Sequence, residues 1–85
     1  MMNKDVVLKW FEKYPTFENF IGAGTISLKA AREILQVDRY FMYDIYLELL
    51  EAGAIRGVGS NAFRASPELQ KFLKERREER GEQVE

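Results

Sequence analysis

The chain has 85 residues with 13 basic and 14 acidic side chains, a formal net charge of −1, and a hydrophobic fraction of 46%. This suits one small domain with a real core, and it supplies no global attraction for nucleic acid or an acidic membrane. Cysteine and histidine are both absent, which removes disulfides, thiolate chemistry, the usual zinc ligand sets and any triad built on an imidazole base.

The first segment, NKDVVLKWFEKYP, places Val6 or Val7, Trp10, Phe11 and Tyr14 at three- and four-residue spacing, which predicts an amphipathic helix. Asn3 is its natural cap and Pro15 its stop. TFENFIGAGT reads as a connector. Phe17, Phe20 and Ile21 are too apolar for a solvated loop, so they are expected to fold back onto the core. Gly22 and Gly24 permit a tight turn into a short strand at TIS.

Ser27 is expected to cap a second helix, LKAAREILQ, with Leu28, Ala31 and Leu35 on one face. Asp38 then caps a third, in which Met42, Ile45, Tyr46 and Leu49 form the core stripe. Gly53 sits just past its end, where a left-handed backbone is common. AIRGV and AFRAS, separated by Gly59, Ser60 and Asn61, predict a hairpin. Ser66 caps a last helix with Pro67 at its first position, and Leu69, Phe72 and Leu73 can pack. Beyond about Arg77 the sequence is charged on every face. Residues 1–77 are therefore expected to form the domain, and 78–85 a frayed, solvated tail.

The expected class is α+β and mostly helical, in the order helix, short strand, helix, turn, helix, hairpin, helix. From Ile26 to Ala65 the chain resembles the winged helix-turn-helix superfamily, and the stretch SLKAAREILQVDRYFMYDIYLELLEAGAIRGV carries the resemblance. It is most similar to the C-terminal DNA-reading domain of bacterial DNA translocases and to small plasmid or phage accessory winged-helix proteins. The matching steps are Leu35, Gln36 and Val37, then the cap Asp38, then Leu49, Gly53 and Ile55. The resemblance implies a winged-helix fold and binding to double-stranded DNA by a small transcription regulator or mobile-element factor, as a homodimer.

The third helix departs from that pattern. Translocase reading domains show Arg and Asn there; the matching positions here are Arg39, Tyr40, Tyr43, Asp44 and Leu47. With Met42 facing the core, Tyr40, Tyr43, Asp44, Leu47 and Glu51 are expected to point outward. Tyr40, Tyr43 and Leu47 then suit either a protein interface, including self-association, or a cover supplied by the segment at Phe17–Ile21. Tyrosine can also contact phosphates and thymine methyls. Lys29, Arg32, Arg39, Arg56 and Arg64 form a candidate basic rim, with Ser60 and Asn61 at the hairpin tip able to enter a minor groove. The candidate DNA-binding set is thus Lys29, Arg32, Arg39, Tyr40, Tyr43, Arg56, Ser60, Asn61 and Arg64.

GAG and GVGS lack the spacing and the lysine of a phosphate loop, and no carboxylate pair is placed in a cleft by any sequence feature. The chain is not expected to be an enzyme or to need a cofactor or metal. Its apolar runs are only a few residues long and no exported leader is evident, so a cytoplasmic protein without a membrane partner is expected.

Overall fold

In the computed structural model, which describes residues 1–81, Asn3 caps the first helix through its side chain. Its Oδ1 accepts from the N–H groups of Asp5 at 3.1 Å and Val6 at 3.4 Å. This helix, α1 (Lys4–Lys13), buries Val7, Trp10 and Phe11. It stops at Tyr14, before the proline, as expected. The next residues are not a connector. Pro15 is the first residue of a second helix, α2 (Pro15–Phe20). Proline ends a helix because it restrains the residue before it, and it starts one because its fixed φ suits the first turn. Phe17 and Ile21 are fully buried. Phe17 stacks on Phe20 at 5.2 Å and meets the edge of Phe11 at 6.2 Å.

A two-residue strand, β1 (Ile26–Ser27), leads directly into α3 (Leu28–Leu35). Ser27 Oγ accepts from Ala30 N–H at 3.0 Å, and Ala31 and Leu35 are buried. Gln36 ends α3 in the left-handed region (φ 57°, ψ 46°). Asp38 Oδ1 then accepts from Phe41 N–H at 2.8 Å and opens α4 (Arg39–Glu51). Met42, Ile45 and Leu49 face inward and Tyr46 is half-buried, matching the expected stripe. Gly53 has φ 74°.

The hairpin consists of β2 (Ile55–Val58) and β3 (Ala62–Ala65). With β1 it makes a three-stranded antiparallel sheet in the order β1-β3-β2, where Ile26 faces Phe63 and Ile55 faces Ala65. The hairpin loop is tied to α3, since Leu28 N–H donates to the carbonyl of Asn61 at 2.8 Å. Phe63 is fully buried and closes the sheet onto the helices.

Ser66 Oγ accepts from Leu69 N–H at 3.2 Å and donates to the Gly53 carbonyl at 2.8 Å, so one hydroxyl caps α5 (Pro67–Glu79) and fixes the turn after α4. α5 runs past Arg77. It continues to Glu79, because Arg76 and Arg80 reach back to Glu18 on α2. Of the expected tail, residues 78 and 79 are helical, Arg80 and Gly81 form a turn, and 82–85 lie outside the described residues. The chain is α+β and mostly helical.

Candidate functional site

The α3–α4 turn opens a groove on the protein surface. Lys29 and Arg32 of α3 line one wall; Arg39, Tyr40, Tyr43 and Asp44 of α4 line the other, with Leu28 and Met42 at its apolar base. The caps at Ser27 and Asp38 set where each helix begins and so which residues reach the groove. Arg39 donates through Nη2 to the Tyr40 hydroxyl at 3.0 Å, and its guanidinium stands 5.0 Å from that ring. Both arrangements hold the arginine at the groove's mouth.

Tyr40, Tyr43 and Leu47 are 71%, 51% and 44% exposed. The segment at Phe17–Ile21 does not cover them, because as α2 it turns its aromatic side chains into the core. Tyr43 stacks against Tyr46 at 5.9 Å, and Tyr46 lies 5.9 Å from Phe63. A file of rings thus connects the exposed face of α4 to the centre of the sheet and fixes the position of Tyr43.

Four carboxylates fall from Asp38 to Glu51, and two of them have partners. Asp38 is engaged in capping and Glu48 in an ion pair with Lys9 of α1. Asp44 and Glu51 are exposed. Of the four, Glu48 is therefore the one whose charge is paired by a cation.

On the hairpin, Arg56 and Arg64 are directly opposed in register and both are exposed. Like charges facing each other across strands destabilise a sheet. Among the described residues no carboxylate lies within 4.0 Å of either arginine, nor of Lys29, Arg32 or Arg39; the ion pairs found there use Lys9, Arg76 and Arg80. Ser60 and Asn61 are exposed at the tip. The structure thus gathers Lys29, Arg32, Arg39, Tyr40 and Tyr43 around one groove. Arg56, Ser60, Asn61 and Arg64 sit together on the hairpin and do not line it.

Sequence reasoning missed a second charged surface between α2 and α5. Its anchor is Glu18, which accepts from Arg76 Nε and Nη2 at 2.9 and 3.1 Å and from Arg80 Nη1 at 3.0 Å. The hydrogen bond from Arg76 holds the Glu18 carboxyl below its ordinary pKa, against the opposing effect of burial, and the charges of Arg76 and Arg80 add to the lowering. The only local signal was the three-residue spacing of Lys71, Lys74 and Arg77.

Among the described residues no cluster of three or more histidine, cysteine, aspartate or glutamate side chains could hold a metal ion, and no helix is long and apolar enough to cross a membrane. No family model, no curated protein and no solved structure matches the chain.

Proposed function

We propose that the chain is a winged-helix protein that binds double-stranded DNA, in the manner of a small regulator or mobile-element accessory factor. Two helices (α1, α2) precede the segment β1, α3, turn, α4, hairpin, and α5 follows it; that central order and the sheet order β1-β3-β2 support the winged-helix reading. In it α4 is the helix offered to the major groove and the hairpin is the wing. The observation that carries the DNA reading is the convergence of Lys29, Arg32 and Arg39 with two exposed tyrosines around one groove.

Each group then has a physical role. Lys29, Arg32 and the wing arginines Arg56 and Arg64 contact phosphates, which positions the duplex without reading sequence. Tyr40 donates its hydroxyl to a phosphate, while Tyr43, held by Tyr46, presents a ring edge to thymine methyls. Ser60 and Asn61 are small enough to enter a minor groove. Polarisation of a labelled duplex tests this. About five phosphate contacts imply that affinity falls roughly 10² to 10³-fold between about 50 and 200 mM salt. Absence of duplex binding at the lower salt overturns the reading.

A second reading has its own observation. Tyr40, Tyr43 and Leu47 form one exposed stripe with Arg39 near its start and Glu51 beyond its end. Two copies paired antiparallel along α4 would bury the stripe and set each Arg39 toward the partner's acidic end. The same face would then serve self-association.

A further inference from the structure

Several charges of α5 line two different surfaces. Glu68 and Glu75 line a depression shared with the start of α1. Lys74, Arg77 and Arg80 line the groove on the α2 side, with Asn19 opposite. Lys71 stands on the crest between the two. Among the described residues the one carboxylate lining the α2–α5 groove, Glu18, is already held by two arginines. Among the described residues neither Lys74 nor Arg77 has a carboxylate within 4.0 Å. Among the described residues, the charged lining of the groove is therefore mainly cationic, and the acid in it is paired with Arg76 and Arg80.

We propose that the α2–α5 groove is a second phosphate-binding surface that takes the phosphodiester backbone of duplex DNA, an inference that rests on the DNA-binding reading. Lys71, Lys74 and Arg77 recur at three-residue steps, so they span about 9 Å of helix axis, a length suited to two or three phosphates of one strand. The paired Glu18 does double duty. It anchors Arg76, and its engagement keeps a bare carboxylate from repelling the backbone. A lipid surface fits less well: the exposed large apolar side chains among the described residues are Met1, Ile34, Tyr40, Tyr43, Leu47 and Val58, and none lies on α2 or α5. The α3–α4 groove shares no lining residue with this one. The contact is additional to the first, not an extension of it.

The test compares duplex binding by the full chain, by Lys74→Ala with Arg77→Ala, and by Lys29→Ala with Arg32→Ala, over a salt series. Lys74 and Arg77 are exposed, and a thermal melt confirms that the first variant folds. The expected result is about a tenfold weaker complex and a salt slope smaller by about 2 for the α5 variant. An α5 variant with unchanged affinity and slope, beside a weakened α3 variant, overturns this inference and leaves the DNA reading intact. Loss confined to the α5 variant instead supports the inference and overturns the α3–α4 site. No duplex binding by the unaltered chain, with or without binding to vesicles of anionic lipid, overturns both.

Discussion

Glu18 and Arg76, 58 residues apart, meet in a two-pronged ion pair that fastens α2 to α5, with side chains only 13% and 28% exposed. Two parallel charge-assisted hydrogen bonds at a partly dry site are worth more than a surface pair. Glu18→Ala should lower stability by about 1–2 kcal/mol in chemical denaturation. Equal stability of variant and parent would mean that solvent already satisfies Arg76.

The same pair sets a pH dependence. Glu18 titrates below its ordinary value of 4.5, chiefly because Arg76 hydrogen-bonds to the ionised form. A carboxyl whose pKa is lowered by folding contributes its full stabilisation above the unfolded value. That contribution disappears as pH falls through the folded value. Stability measured from neutral pH down through the carboxylate range should therefore decline less steeply in Glu18→Gln than in the parent. Parallel curves would assign the acid sensitivity to other groups.

Gly57 lies under Tyr46. A Cβ at this position would come 2.8 Å from the Tyr46 hydroxyl, and the ring is hemmed between Tyr43 and Phe63. Gly57→Ala should cost about 1–2 kcal/mol through overpacking. Tyr46→Phe removes the clashing oxygen, so the pair of changes should be less damaging than their sum. Strict additivity in the double-mutant cycle would show that the ring moves aside freely.

Arg56→Ala with Arg64→Ala removes two opposed cations from the outer face of the hairpin. Thermal stability should hold or rise, because a like-charge pair is lost. Duplex affinity should fall to a similar degree on every sequence, as expected for phosphate contacts. Stability gained with binding unchanged would mark the pair as unrelated to DNA.

Tyr43→Glu with Leu47→Glu separates the two readings of α4. Both side chains are exposed, so neither change opens a cavity. If α4 enters DNA, the variant loses duplex binding and keeps its mass in light scattering. If α4 pairs with a second copy, the parent is a dimer and the variant a monomer.

Much of this architecture was legible locally. The caps Asn3, Ser27, Asp38 and Ser66 each sit one residue before a helix, and the stripe of α4 has the helical period. The left-handed Gly53 and the hairpin around Gly59–Asn61 follow from turn chemistry. What stayed hidden depends on partners distant in sequence. α2 is only six residues long, and its burial of Phe17 and Ile21 outweighs its weak local signal. The last turns of α5 are held by Glu18, more than fifty residues away, so their composition alone reads as solvated. The groove residues of α3 and α4 were identifiable; that Glu48 is drawn off by Lys9 was not, because α1 must first pack against α4.

The hydrogen bond from Leu28 N–H to the Asn61 carbonyl makes the loop tip and the start of α3 one mechanical body. Free hairpins sample many orientations and surrender that freedom when gripped, which weakens binding. Here the freedom has gone during folding, since β1 already pairs with β3 beside the same bond. Whatever spans the hairpin and α3 meets a stiff bracket with a fixed opening. A ligand spanning both would give up little loop freedom on binding, and a shape that already fits the bracket would be favoured.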